Sequence, residues 1–150
     1  MIRRTVVAAI GFFLTACGSA DAPSLEGTWR LDPARSRYAG TAEARTQETF
    51  TCREGQRIEC EIAGVKADGS RASATFSAAP GGRGTVQGVE GVDGVELDRR
   101  DDGWHAVFSD GDTPVLGYRI TPYADSLIVE TTDPRSGERL GTRIVYTRAP

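Results

Sequence analysis

Apolar and polar residues alternate with a period of two along most of the chain after residue 25. The alternating runs are short, and clusters of Gly, Asp and Pro separate them at intervals of roughly ten residues, which is typical of strands joined by tight turns. One stretch departs from this pattern, because the aspartate cap and proline of residues 32–36 predict a single helical turn. The predicted strands span residues 26–31, 44–53, 57–64, 71–78, 84–89, 95–100, 104–109, 115–120, 127–132 and 140–147.

The alternation gives each predicted strand one apolar face and one polar face. Strands in a small domain must protect their edges, and closing the sheet into a barrel removes the edges altogether. We therefore predict an all-β fold over residues 25–150, an antiparallel up-and-down meander closed into a barrel of about 8–10 strands. An open sandwich fits the same pattern. The inward-facing sets are Ala72, Ala74, Phe76 and Ala78, then Trp104, Ala106 and Phe108, then Leu140, Ile144 and Tyr146.

The N-terminus has the three parts of an export signal: basic residues first, then an apolar stretch, then small residues before a cleavage site. The apolar stretch is shorter than the ~20 residues that span a bilayer. Its end, residues 14–17 (LTAC), resembles the bacterial lipobox, in which the cysteine receives diacylglycerol and becomes the new N-terminus. We expect residues 1–16 to be a lipoprotein signal peptide and 17–24 to be a flexible tether that carries lipid on Cys17. Gly18, in place of an aspartate, favours the outer membrane, with the domain facing the periplasm.

Removal of the signal peptide changes the charge balance. The full sequence has 18 Lys and Arg against 21 Asp and Glu, and loss of Arg3 and Arg4 leaves 16 basic residues and a net charge of −5. This balance argues against nucleic acid or an anionic membrane face as a partner. We expect a monomer whose contact with the membrane is made by the lipid on Cys17.

Two cysteines remain after Cys17 is assigned to the lipid. Cys52 and Cys60 flank a predicted hairpin, residues 49–62, in a compartment where disulfides persist. They lie opposite each other, and form a disulfide, if residues 55–57 make the loop. A two-residue turn at 54–55 would separate them and leave two buried thiols.

Residues 27–38 (GTWRLDPARSRY) resemble the G-T-W-K-L-N-x-x-K-S-K-[FY] opening of a set of uncharacterised bacterial secreted, lipocalin-like proteins. The similarity continues through residues 64–71 and 124–149, and it implies a lipocalin-like β-barrel. That set has no established activity to transfer.

The G-x-W of Gly27 and Trp29 also resembles the signature of lipocalins and fatty-acid-binding proteins. In those families the tryptophan packs across the closed end of the barrel beneath an arginine of the last strand. The resemblance implies the same structural role here, with Arg143 or Arg148 as the arginine.

No pattern for a catalytic, metal or cofactor site is present in the sequence. His105, the only histidine in the sequence, alternates with Trp104 and Phe108 and is expected on the solvent-exposed face of the sheet. We therefore expect a protein that is not an enzyme and that needs no metal or cofactor.

Two functions fit these expectations. In the first, the barrel binds a small hydrophobic or amphipathic ligand, because the small inward residues leave room inside. In the second, the barrel is filled by its own side chains and its loops contact a protein or cell-wall partner. For the first function, the predicted ligand-binding residues are Phe76, Trp104, Phe108, Tyr118, Ile144 and Tyr146.

The lipobox gives a first prediction. The protein expressed in a bacterium with its own signal should incorporate labelled palmitate and fractionate with the outer membrane, because acylation of Cys17 provides the anchor. Cys17→Ser should lose the label. Labelling that survives this substitution would show that the lipobox assignment is wrong.

Overall fold

The structure is a computed structural model and describes residues 24–150. It is all-β, and ten antiparallel strands follow one another around a closed barrel. The predicted meander, its closure into a barrel and the strand number are confirmed. The predicted signal peptide, Cys17 and residues 17–23 of the predicted tether lie outside the described residues. Within the described part of the chain, no helix is long and apolar enough to cross a bilayer.

Each predicted strand corresponds to one observed strand, with boundaries that differ by a few residues. The strands are β1 (Gly27–Leu31), β2 (Arg45–Glu54), β3 (Ile58–Lys66), β4 (Arg71–Ala78), β5 (Arg83–Gln87), β6 (Gly94–Arg100), β7 (Gly103–Asp110), β8 (Thr113–Pro122), β9 (Ser126–Thr132) and β10 (Arg139–Arg148).

The barrel has two distinct ends. The turns β2–β3, β4–β5, β6–β7 and β8–β9 lie at one end, together with the start of β1 and the end of β10. We call this the closed end, because Leu25 there is fully buried and its backbone N–H donates to the Glu54 carboxylate. We call the other end the mouth, and it carries the connections 32–44, 67–70, 88–93, 111–112 and 133–138.

The hairpin β2–β3 has the register that allows the disulfide. Glu54 pairs with Ile58, so residues 55–57 form the loop and Cys52 lies directly opposite Cys60. The two residues form a disulfide, with their Cα atoms 4.2 Å apart, and both are buried. A disulfide that closes so short a loop stabilises a fold by about 2–3 kcal/mol.

Two local predictions are corrected. Leu140 was expected on the inner face, but its side chain is 57% exposed. The pairing of β10 with β9 is irregular between Arg139 and Arg143, so Leu140 lies outside the regular ladder, at the mouth end of the strand where solvent reaches it. Residues 32–36 form a hydrogen-bonded turn in which the Asp32 carboxylate accepts from the Arg35 backbone N–H, and they are not helical.

The arginine that covers Trp29 is Arg148, not Arg143. The Arg148 guanidinium lies 4.1 Å from the centroid of the fully buried Trp29 ring. The same group donates to the backbone carbonyls of Glu26 (3.1 Å) and Ala124 (3.0 Å). Gly27 has a φ of 125°, a backbone angle that favours glycine, and a Cβ at this position would lie 2.7 Å from the Arg148 guanidinium and displace it from its place over Trp29.

Arg143 points to the outer wall, since it alternates with the buried Ile144. Its predicted role in closing the barrel is therefore wrong for this residue. Every strand of the barrel lies between Gly27 and Arg148, so residues 24–150 contain the complete barrel and can be studied without residues 1–23.

The cluster at the closed end gives a second prediction. Trp29→Ala should lower the free energy of unfolding of residues 24–150 by about 3–5 kcal/mol, because it removes a large buried ring. Arg148→Ala should cost about 1–2 kcal/mol through the lost ring contact and hydrogen bonds. Arg143→Ala, on the outer wall of the same strand, should cost less than about 0.5 kcal/mol. Urea denaturation measures all three, and equal effects of the two arginine variants would contradict this account.

Candidate functional site

The candidate site is the interior of the barrel at the mouth. Most inward apolar side chains are buried, including Val86 and Val95 next to the mouth, but six others are only partly buried. Solvent reaches the core at these six side chains. The partly buried side chains that pack on the core there are Leu31, Tyr38, Ile62, Phe108 and Tyr118, together with Val92 from the β5–β6 connection.

A chain of five aromatic rings crosses the interior below the mouth. Tyr146 of β10 packs on Phe50 of β2, with ring centroids 5.9 Å apart, and Phe50 packs on Phe76 of β4 at 6.3 Å. Phe108 of β7 stands edge-on both to Phe76 at 5.5 Å and to Tyr118 of β8 at 5.7 Å. These rings join opposite walls of the barrel and form an apolar floor beneath the mouth.

A buried carboxylate lies above this floor. The Glu48 side chain is 3% exposed, and it faces inward because it alternates in register with Phe50 and Cys52. One carboxylate oxygen accepts a hydrogen bond from the Tyr146 hydroxyl, and the other pairs with the Arg45 guanidinium. Both oxygens thus have partners, which is what burial of a charged group requires.

The protonation states of this cluster follow from its surroundings. Burial raises the pKa of the Tyr146 phenol well above its usual 10.0, and the nearby Glu48 carboxylate raises it further. Burial also raises the pKa of Tyr118, although the Arg45 guanidinium opposes this. Burial is the largest single influence on the pKa of Arg45 and lowers it, but the Glu48 carboxylate and the phenols of Tyr146 and Tyr118 together outweigh burial, so the net pKa is raised. At neutral pH Arg45 is therefore charged and both phenols are donors.

Two buried polar atoms have no hydrogen-bond partner among residues 24–150. They are the Tyr38 hydroxyl, at the mouth, and the Nε1 of Trp104, near the closed end. The Trp104 ring is 3% exposed and is covered by the Arg99 guanidinium at 4.9 Å. Unpaired buried donors are costly and uncommon, so each marks a place where a polar group of another molecule would be favourable.

The residues predicted to bind a ligand all belong to, or pack on, the interior core. The structure brings Phe76, Phe108, Tyr118 and Tyr146 together in the chain of rings. Trp104 and Ile144 are buried but lie outside that chain.

Sequence reasoning missed Arg45, Glu48 and Tyr38. Glu48 was detectable, because alternation from Cys52 and Phe50 places it on the inner face. A charged residue at such a position is a signal for a polar site inside the barrel.

The small inward residues do not all leave space. Ala78 and Ala106 are fully buried, because neighbouring large side chains fill the interior around them. Ala74 is partly buried and Ala72 is exposed, and both lie on the mouth half of β4. The small inward residues that are not enclosed by other side chains therefore lie on the mouth half of this strand.

No group of three or more His, Cys, Asp or Glu side chains within residues 24–150 is placed to hold a metal ion. His105 lies on the outer wall, 3.5 Å from the Thr132 hydroxyl. Two outer-wall grooves are also present, one of 470 Å³ across β2–β5 and one of 370 Å³ across β8–β10.

Comparisons with known protein families, with curated proteins and with solved structures find no match to this chain. The closed antiparallel barrel of ten strands is compatible with a lipocalin-like fold.

The cluster at the mouth gives a third prediction. Tyr146→Phe should lower the free energy of unfolding by about 1–3 kcal/mol, because it leaves the buried Glu48 carboxylate one donor short. Tyr118→Phe is the matched control, since no hydrogen bond of its hydroxyl is found within residues 24–150, and it should cost less.

The pH dependence separates the two substitutions further. Tyr146 has a higher pKa folded than unfolded, so its contribution is complete below pH ~10 and is lost as pH rises beyond that. The unfolding free energy of the parent should therefore fall more steeply between about pH 10 and 11 than that of Tyr146→Phe. If the unfolding free energies of the parent and of Tyr146→Phe fall equally with pH, ionisation of the Tyr146 phenol does not affect stability.

Proposed function

We propose that the protein is a lipoprotein of the outer membrane that binds a small amphipathic molecule in the mouth of its barrel. The observation that carries this proposal is the combination of an apolar, partly open floor with a polar cluster directly above it. The ligand's apolar part lies on Phe108, Ile62 and Ala74. Its polar end meets the hydroxyls of Tyr38 and Tyr118.

The polar cluster favours a neutral or weakly charged polar end. Arg45 and Glu48 compensate each other, so the mouth has no net charge from this pair. The phenols of Tyr38 and Tyr118 supply hydrogen bonds, which a hydroxyl, carbonyl or carboxyl oxygen can accept. Such a site suits a molecule with one polar group and a short apolar part, because the lower half of the barrel is filled by the protein's own side chains.

The anchor and the mouth lie at opposite ends in this proposal. The tether joins the barrel at Leu25, which is fixed at the closed end. Residues 17–24 reach at most about 28 Å when extended. With lipid on Cys17, the closed end therefore faces the membrane, and the mouth faces the periplasm, where it is accessible to a diffusing ligand.

A second function, an interaction module in the cell envelope, is favoured by a different observation. The side chains of Leu25, Trp29, Leu97 and Leu127 are fully buried, so the closed half of the barrel is packed like an ordinary protein core. Both outer-wall grooves then become the surfaces that a partner would use.

A matched pair of substitutions tests the ligand-binding proposal. Ala74→Phe places bulk in the mouth, whereas Ala63→Phe places the same bulk on the exposed outer face of the neighbouring strand. Residues 24–150 should be titrated with octanoate, decanoate, decanol and lysophosphatidylethanolamine, with tryptophan fluorescence and native mass spectrometry as readouts. We expect saturable binding of at least one compound, loss of at least about tenfold in affinity in Ala74→Phe, and no change in Ala63→Phe.

Two outcomes contradict the proposal. One is binding that is equal in the two variants, since it would lie outside the mouth. The other is the absence of saturable binding by every compound, together with no co-purifying molecule detected by native mass spectrometry. The interaction module would then replace ligand binding as the proposed function.

A further inference from the structure

The groove of 370 Å³ on the outer wall of β8, β9 and β10 holds a concentration of arginines that the proposed ligand site does not use. We call it the arginine groove. Its lining comprises Asp102, Arg119, Thr121, Pro122, Tyr123, Ile128, Glu130, Arg139 and Arg143.

Strand register explains why these charges meet. Arg143 lies directly opposite Glu130 of β9 on one side and opposite Arg37, from the β1–β2 connection, on the other. Glu130 in turn lies opposite Arg119 of β8. Directly opposed side chains on one face are close neighbours, about 5 Å apart at Cβ. The register therefore forms a continuous row of charged residues along the edge of the groove.

The acidic residues of the groove are already paired. Glu130 pairs with Arg139, whose Nε lies 3.3 Å from its carboxylate oxygen, and Asp102 pairs with Arg119. Arg143 and Arg37 make no ion pair within residues 24–150, although they oppose each other directly. Two like charges in this arrangement repel, and an anion between or beside them would relieve the repulsion.

The other lining residues suit a small acid. Thr121 and Tyr123 provide hydroxyl donors, and Ile128 and Pro122 form an apolar surface. A guanidinium offers several donors in a plane, which matches the geometry of a carboxylate or a phosphate. The volume of the groove is that of a small-molecule site.

We propose that the arginine groove binds a phosphate or carboxylate group of a small ligand through Arg143, which lines the groove, and Arg37, which pairs with Arg143 beside it. The site is separate from the interior of the mouth, since its residues lie on the outer wall of the barrel. The same chemistry is offered by a soluble acid and by an anionic lipid headgroup, and the experiment distinguishes these two sources.

Residues 24–150 should be titrated with sodium phosphate and with sodium acetate at constant ionic strength, with sodium chloride as the reference salt. Backbone amide shifts of residues 37, 119, 130 and 143 report on the groove. We expect saturable shifts at these positions with phosphate, acetate or both, and affinity lowered at least about tenfold in Arg143→Gln. Arg71→Gln, at an exposed arginine of β4, should bind as the parent does.

Vesicles of phosphatidylglycerol and of phosphatidylcholine identify the source. If the protein sediments with phosphatidylglycerol vesicles but not with phosphatidylcholine vesicles, and sediments less in Arg143→Gln, the groove binds a lipid headgroup. Saturable shifts with the soluble anions but no sedimentation assign it to a soluble acid. The proposal is overturned if neither probe binds, or if Arg143→Gln and Arg71→Gln weaken binding equally, since that would be a general charge effect.

Discussion

The contact between β1 and β10 is the constraint on which the whole architecture depends. Nine of the ten strand contacts join neighbours in sequence, but this one joins the two ends of the domain. Its ladder is short, from Trp29 opposite Arg148 to Leu31 opposite Tyr146. A contact so distant in sequence carries the full entropic cost of closing the chain, so the side chains beside it must compensate. Arg148 does this by covering Trp29 and by bonding both the N-terminal segment and the β8–β9 turn.

Closure also determines where polar groups can be buried. An open sheet would expose Glu48 to solvent, whereas the closed barrel brings Tyr146 from β10 across to it. The carboxylate is stable inside only because Tyr146 and Arg45 use both of its oxygens. A barrel built for stability alone would gain by replacing this cluster with apolar side chains. A polar cluster retained above an aromatic floor departs from the rule for protein cores, and such departures are expected at functional sites.

The strands and their meander order could be predicted from the sequence, because both depend on local alternation and turn residues. The same pattern also fitted an open sandwich, and the disulfide depended on which of two loops the hairpin adopts. Cys52 faces Cys60 once residues 55–57 form the loop, and no distant contact is needed to establish that. Leu140 was misplaced because the ladder between β10 and β9 is irregular between Arg139 and Arg143, and alternation within one strand contains no information about that irregularity. Arg143 was offered beside Arg148 on a resemblance, which does not determine which of the two arginines reaches Trp29.

The residues of the candidate site were predictable only in part. Phe76, Phe108, Tyr118 and Tyr146 follow from alternation, but their meeting in one chain of rings depends on the curvature of the closed sheet. The arginine groove depends on register even more strongly, since Arg37, Arg143 and Glu130 come from three separate parts of the sequence.

The two proposed sites differ in how charge acts on them. In the mouth, the charges of Arg45 and Glu48 cancel within the barrel, so recognition there depends on hydrogen bonds and apolar contact. On the outer wall, Arg37 and Arg143 keep their charge within a chain that is acidic as a whole. The net negative charge of the chain repels anions at long range, and salt screens that repulsion beyond about 10 Å. An anion that reaches the groove is therefore held by short-range contacts with guanidinium groups.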